Sequence, residues 1–219
     1  MARPAKLLTE LAGTFLFLTV IALSSKAAAL APLAIGGALM AMVYMGGHIS
    51  GAHYNPAVTF GFFLRGKIGT VDAVLYWVVQ LVAAALAFTF GYLVSGQSGG
   101  IHPGPKVAVL SALAVEAAFA AALVLVILNV AATRATQGNS YYGLAIGITI
   151  ASAAFVGGPI SGGAYNPAVG FGATFGSAAF AGGSWSDLWI YIVGPFAGGA
   201  VGAAVHWAQI AGTEGPERR

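Results

Sequence analysis

Asn55 and Asn166 are each followed by Pro-Ala-Val, and each lies five residues after the serine of a Ser-Gly pair. Asparagine is a strong helix N-cap and proline is favoured at the first helical position, so each motif reads as the start of a helix. Taken singly, either asparagine is an ordinary turn or capping residue. Glu10 and Glu116 offer different chemistry, as the carboxylates placed deep inside long apolar stretches. A carboxylate inside a membrane is a functional hypothesis by default, and a proton-coupled transporter needs one. Ser50 or Ser161 beside a histidine suggests a hydrolase dyad. The two serines occupy equivalent positions, however, and a catalytic centre has little use for two copies. His48, His53, His102 and His206 are scattered, and the chain has no cysteine, so the donors for a metal site are poor. No enzyme activity and no cofactor are expected.

The background of these residues is apolar. Of 219 residues, 58% are hydrophobic and 7% charged, and the mean hydropathy is +0.86. A soluble domain carries about 25% charged residues, so the bilayer is the expected solvent. Uncharged stretches run over 11–25, 27–64, 73–105, 117–133, 135–186 and 188–213. A transmembrane helix needs about 20 apolar residues, so these six stretches hold six or more spans, and the second and fifth hold further embedded chain. The first apolar segment carries Glu10 and lacks a convincing cleavage site, so it reads as a retained span. Net charge is +3, but the basic residues are scattered at span ends, where they read as topology signals and not as a nucleic-acid surface.

The chain repeats itself. GHISGAHYNPAVTFG (47–61) and GPISGGAYNPAVGFG (158–172) agree at 11 of 15 positions at a constant offset of 111. Glu10 recurs as Glu116, and Tyr76 with Gln80 recurs as Tyr191 with Pro195. The expected organisation is one all-α membrane domain, 1–219, made of repeats 1–100 and 101–219. Helical spans are expected over 6–24, 30–46, 71–94, 107–132, 142–156 and 187–210. Three spans per half invert the second copy. With the N-terminus inside, Arg3, Lys6, Arg65, Lys67, Arg134, Arg218 and Arg219 face the cytoplasm, and Lys26 and Lys106 lie outside. That asymmetry follows the positive-inside rule and puts both termini in the cytoplasm. After each Asn-Pro-Ala comes a short apolar run, Val58–Leu64 and Val169–Phe175, too short to span. Two such half-helices entering from opposite faces meet N-terminus to N-terminus near the midplane. Irregular backbone at that depth is tolerated where it is buried or lines a water-filled cavity, so a pore is the natural consequence.

The paired Asn-Pro-Ala motifs, the SGAHYNPAV segment, the inverted repeat and the repeated glutamate together resemble the aquaporin, or major intrinsic protein, family over nearly the whole chain. The resemblance implies the aquaporin fold, six transmembrane helices plus two re-entrant half-helices, in a homotetramer of the plasma membrane with one pore per subunit. It implies that Asn55, Pro56, Ala57, Asn166, Pro167 and Ala168 form the pore centre, each asparagine offering its amide NH₂ to a passing oxygen. Carbonyls of Ala52, His53, Tyr54, Gly162, Gly163 and Ala164 would supply acceptors along the wall. It assigns Glu10 and Glu116 a structural role, accepting hydrogen bonds from the re-entrant loops. His48 reads either as a protonatable group at the inner mouth or as loop packing. Gly194, Gly198 and Gly202 form a small-residue stripe for close helix packing. Trp185, Trp189 and Trp207 read as interfacial anchors, with Trp77 less clearly so.

At one point the sequence departs from the family. Where the resemblance places a filter arginine after the second motif, this chain has Val169. The other filter positions fall on Ile35, Ala154 and Gly163, with Phe155 as the alternative to Ala154. The filter is then wide and apolar. The function expected is a passive channel for water and small neutral solutes: glycerol, urea, and metalloid acids such as arsenous acid. A water channel with an unusual filter, a proton-coupled transporter and a non-conducting membrane scaffold are the competing readings.

Overall fold

The computed structural model describes residues 1–211. Residues 212–219, with the expected cytoplasmic Arg218 and Arg219, lie outside the described residues. The described residues form helices α1 (Arg3–Leu23), α2 (Ala31–Ser50), α3 (Pro56–Leu64), α4 (Thr70–Ser95), α5 (Val109–Ala131), α6 (Tyr142–Ser161), α7 (Pro167–Phe180) and α8 (Leu188–Ile210). Five stretches are long and apolar enough to cross a membrane, and the first of them, Arg3–Ser50, has 48 residues. As one helix it would run about 72 Å at 1.5 Å per residue. A 3₁₀ segment over Ser24–Leu30, with Ala28 at φ 47°, breaks it into α1 and α2.

The spans match expectation to within a residue or two at most ends, but α1 begins at Arg3, and α2 and α6 run on to Ser50 and Ser161. The sequences Gly-Gly-His-Ile-Ser and Gly-Gly-Pro-Ile-Ser, which lie at and beyond the expected helix ends, are final helical turns. Glycine weakens a helix locally, but packing overrides that preference here. Gly46 lies against the ring of Tyr54, and Gly157 against Tyr165 and Phe119, where a larger residue has no room. Each helix stops one residue later, at Gly51 (φ 90°) and Gly162 (φ 97°), whose N–H groups donate to the carbonyls of Gly47 and Gly158. Left-handed caps of this kind suit glycine. The second half-helix is also longer than expected, because α7 packs on past Phe175 to Phe180.

Helix packing follows the duplication. Within each half, α1 packs on α2 and α4, as α5 packs on α6 and α8. Each half-helix leans on the last span of the other half, α3 on α8 and α7 on α4. α2 and α6 cross at Gly36 and Gly147, residues themselves 111 apart. A Cβ on either would fall 2.5 Å from the other's carbonyl oxygen. The stripe Gly194, Gly198 and Gly202 faces Leu113, Ala117 and Ala121 of α5 in the same backbone-to-backbone manner. Large apolar side chains point outward instead: Val74, Val78, Val82, Leu86 and Phe90 form an exposed stripe along α4. Small residues inside and valines outside is the pattern of a helix bundle solvated by lipid.

Candidate functional site

The two Asn-Pro-Ala segments are held from behind by buried carboxylates. Glu10 Oε1 accepts from Ser50 Oγ (2.7 Å) and the His53 N–H (2.9 Å), and Oε2 from the Tyr54 N–H (2.8 Å) and Gln80 Nε2 (2.9 Å). Glu116 repeats the arrangement with Ser161 Oγ (2.7 Å) and the N–H groups of Ala164 (2.9 Å) and Tyr165 (2.6 Å). Both carboxylates are completely buried. They satisfy backbone donors that the irregular loops leave without helix partners, an obligation that water cannot meet inside a bilayer. Tyr76 and Tyr191 tie the same loops from outside, donating to the carbonyls of Ser50 (2.8 Å) and Ser161 (2.6 Å).

The loops themselves turn sharply. Gly51, Ala52 and Tyr54 in one, and Gly162, Gly163 and Tyr165 in the other, have positive φ. At the end of each loop the asparagine caps its half-helix: Asn55 Oδ1 accepts from the Ala57 N–H at 2.8 Å, and Asn166 Oδ1 from the Ala168 N–H at 2.9 Å. The amide nitrogens reach across the middle of the molecule. Asn55 Nδ2 donates to the Tyr165 carbonyl and Asn166 Nδ2 to the Tyr54 carbonyl, both at 3.0 Å. This refines the expectation drawn from the sequence. One hydrogen of each NH₂ locks the two halves together and one is left for anything passing. The Tyr54 carbonyl, expected as a wall acceptor, is engaged by Asn166.

Three cavities follow one another through the bundle. An outer one of about 310 Å³, bordered by 24–25 and 97–101, is lined by Ile35, Ala154, Gly162, Gly163 and Val169 among others. The four positions expected to form the filter therefore meet on one cavity. Phe155 does not belong there, being 45% exposed on the outside of α6. A middle cavity of about 20 Å³ is lined by Ala52, His53, Tyr54, Asn55, Ala164 and Asn166 with apolar side chains of α1, α2, α5 and α6. An inner cavity of about 310 Å³ shares Val43, Ile127 and Ile146 with the middle one and opens past His48 and 136–139. α3 and α7, about 13 Å and about 21 Å long at 1.5 Å per residue, point their N-termini at the middle cavity. Their partial positive charges converge there.

Residues 4–206 match the model of the family described as major intrinsic protein. The chain belongs to that family. Among its major intrinsic protein relatives, the "Probable aquaporin TIP3-2" of Arabidopsis thaliana is 38% identical over 180 residues, 81% of this chain and 66% of that protein. The "Aquaporin NIP1-4" of Oryza sativa subsp. japonica is 38% identical over 178 residues, covering 80% of this chain and 62% of its own. The chain thus spans about two thirds of the length of these relatives. The fold is that of the aquaglyceroporin from Plasmodium falciparum, with a TM-score of 0.83 over 97% of this chain and 98% of that one, at 20% identity.

Other residues read differently in three dimensions than in sequence. Trp77 is no interfacial anchor, since its Nε1 donates to the Pro56 carbonyl at 3.0 Å. His206, near the end of the last span, is fully buried. Its Nδ1 takes Arg65 Nε at 3.0 Å and its Nε2 meets Thr133 Oγ1 at 2.8 Å. His53 is a packing residue, set between Phe62 and Tyr76 with Nδ1 on Thr59 Oγ1 (3.0 Å). His102 lies on a loop and meets Asp187 Oδ2 at 2.9 Å. Among the described residues no cluster of three metal-ligating side chains occurs. Phe17, Leu39, Leu123, Ile127 and Ile150 line the middle cavity without having stood out in the sequence, where they are indistinguishable from lipid-facing residues.

Proposed function

We propose that this member of the family is a passive channel for water and small neutral solutes such as glycerol, urea and undissociated metalloid acids. The observation that carries the reading is the outer cavity: Val169, Gly163, Ala154 and Ile35 border about 310 Å³ of space. A guanidinium at position 169 would supply a planar fork of donors and a fixed charge. A valine supplies neither, so the opening favours larger and less polar solutes than water. Cation exclusion then rests on the two helix N-termini and the free amide hydrogens of Asn55 and Asn166. Glu10 and Glu116 act as braces in this reading. Their oxygens are engaged by hydrogen bonds to loop backbone and side chains, so each carboxylate has a bracing task that accounts for its burial. The N-terminal face, carrying Arg3, Lys6, Arg65, Lys67 and Arg134, lies in the cytoplasm, and the protein works as a homotetramer of the plasma membrane with one pore per subunit. A stopped-flow panel on proteoliposomes with water, glycerol, urea and arsenous acid tests the function. Accelerated flux of water and at least one larger solute supports it. Uphill solute movement driven by a pH gradient would replace it with a transporter.

A further inference from the structure

The filter of this channel has a twin. Adding or subtracting the repeat offset of 111 carries Ile35 to Ile146, Ala154 to Val43, Gly163 to Ala52 and Val169 to Val58. All four of these mates line the middle cavity. The fold therefore builds two four-residue rings, one on each side of the Asn55–Asn166 pair. The outer ring is Ile, Ala, Gly, Val; the inner is Ile, Val, Ala, Val. Valine for alanine and alanine for glycine put more carbon into the inner ring. Ile127 adds to it from α5, as Ile21, 106 residues earlier, borders the outer cavity. The outer ring borders a cavity of about 310 Å³ that reaches out to 24–25 and 97–101, whereas the inner ring borders one of about 20 Å³. A cavity needs about 10–15 Å³ of this kind to hold one water, so the inner ring admits roughly one molecule at a time.

From this we infer that the inner ring, Val43, Ala52, Val58 and Ile146, sets the solute size limit of this channel, with Val43 and Ala52 as its specificity-determining residues. The inference rests on the channel reading above and moves the limit from the outer filter to its symmetry mate. Resistances along a single path add, so the tightest segment governs which solutes pass. Widening a ring that already has slack changes little. The ring is apolar apart from backbone, with the carbonyls around Ala52 as acceptors. It therefore selects by cross-section and by the cost of stripping water from hydroxyls.

The test exchanges the rings. Val43→Ala with Ala52→Gly turns the inner ring into a copy of the outer, and Ala154→Val moves the outer toward the inner. Glycine is well suited to position 52, where φ is 50°. Proteoliposomes with matched protein content are assayed by stopped flow with water, glycerol and erythritol. The double variant is expected to raise the glycerol-to-water permeability ratio at least fivefold and to admit erythritol, while Ala154→Val changes the ratio less than twofold. Ile146→Val, which removes one methyl group, is a milder second variant expected to shift the ratio about twofold in the same direction. An unchanged ratio in conducting vesicles with both inner-ring changes overturns the inner-ring assignment, as does a loss of glycerol flux in Ala154→Val. Wild-type vesicles that conduct neither water nor glycerol overturn the channel reading itself.

Discussion

Val169 stands where the resemblance to the family places an arginine. It is the third residue of α7 and nearly fully buried against the outer cavity. Val169→Arg should cut glycerol and arsenous acid flux at least fivefold more than water flux, because a constriction penalises wider solutes first. The positive charge sits near a helix N-terminus, which costs about 0.3–1 kcal/mol, so folding should survive. Equal reduction of water and glycerol in matched proteoliposomes would show that position 169 does not select. The braces make a second prediction at this scale. Glu116→Gln replaces one accepting oxygen with an NH₂ that faces either the Tyr165 N–H or the pair Ser161 Oγ–H and Ala164 N–H. Leaving buried donors unmet costs about 1–3 kcal/mol each. The variant should lose several degrees of thermal stability, followed by tryptophan fluorescence, and most of its flux. Wild-type stability in the variant would mean that the carboxylate does not hold the loop.

At the scale of elements, the two halves share a frame but not a lining. Glu10 has Gln80 as an extra donor, and Gln80 also reaches Thr59, which meets His53. The matching positions in the second half are Pro195, Gly170 and Ala164, so that chain of polar contacts has no counterpart. Gly170 instead lies against Tyr191. The second half-helix is thus fixed by close packing and the first by hydrogen bonds as well. Close packing also joins α5 to α8, where the Cβ of any residue at Gly198 would run into the Ala117 carbonyl. Gly198→Val should destabilise the protein by more than the about 1–3 kcal/mol of ordinary overpacking, because backbone must move. Gel filtration in detergent and heat-induced loss of monodispersity measure it. A fully stable Gly198→Val would contradict the α5–α8 contact.

For the whole molecule, the absence of cysteine is an experimental opening. Water and solute flux should resist mercurial reagents, and rapid thiol-reversible block would assign the flux to another protein. Single cysteines at Lys26 and Arg134 then report topology on a clean background. In intact cells an impermeant maleimide should label position 26 and spare position 134; the reverse pattern would turn the chain over. The connecting segments at 24–30 and 132–141 end up on opposite faces because an odd number of spans separates them.

The sequence by itself determined the membrane class, the six long helices, the duplication and the asparagine caps of the two short helices. Each of these is a local or periodic property: a shortage of charge, a run of apolar residues, a motif repeated at 111, a proline at the start of a helix. Tertiary structure decided how far the helices run. The Gly-Gly pairs at 46–47 and 157–158 look like breaks until Tyr54 is seen packed on Gly46 and Tyr165 on Gly157. It decided that Ala154 and not Phe155 meets the cavity, a question of helix rotation that an almost uniformly apolar span leaves open. It also decided what the asparagines do with their hydrogens, since the acceptors are carbonyls 110 and 112 residues away. The inner ring shows the division most clearly. Val43, Ala52, Val58 and Ile146 lie 111 residues from the outer four, but in the sequence a valine facing lipid and a valine facing a cavity read alike. Only the folded bundle, by turning one face of each helix to lipid and the other to a narrow cavity, separates them.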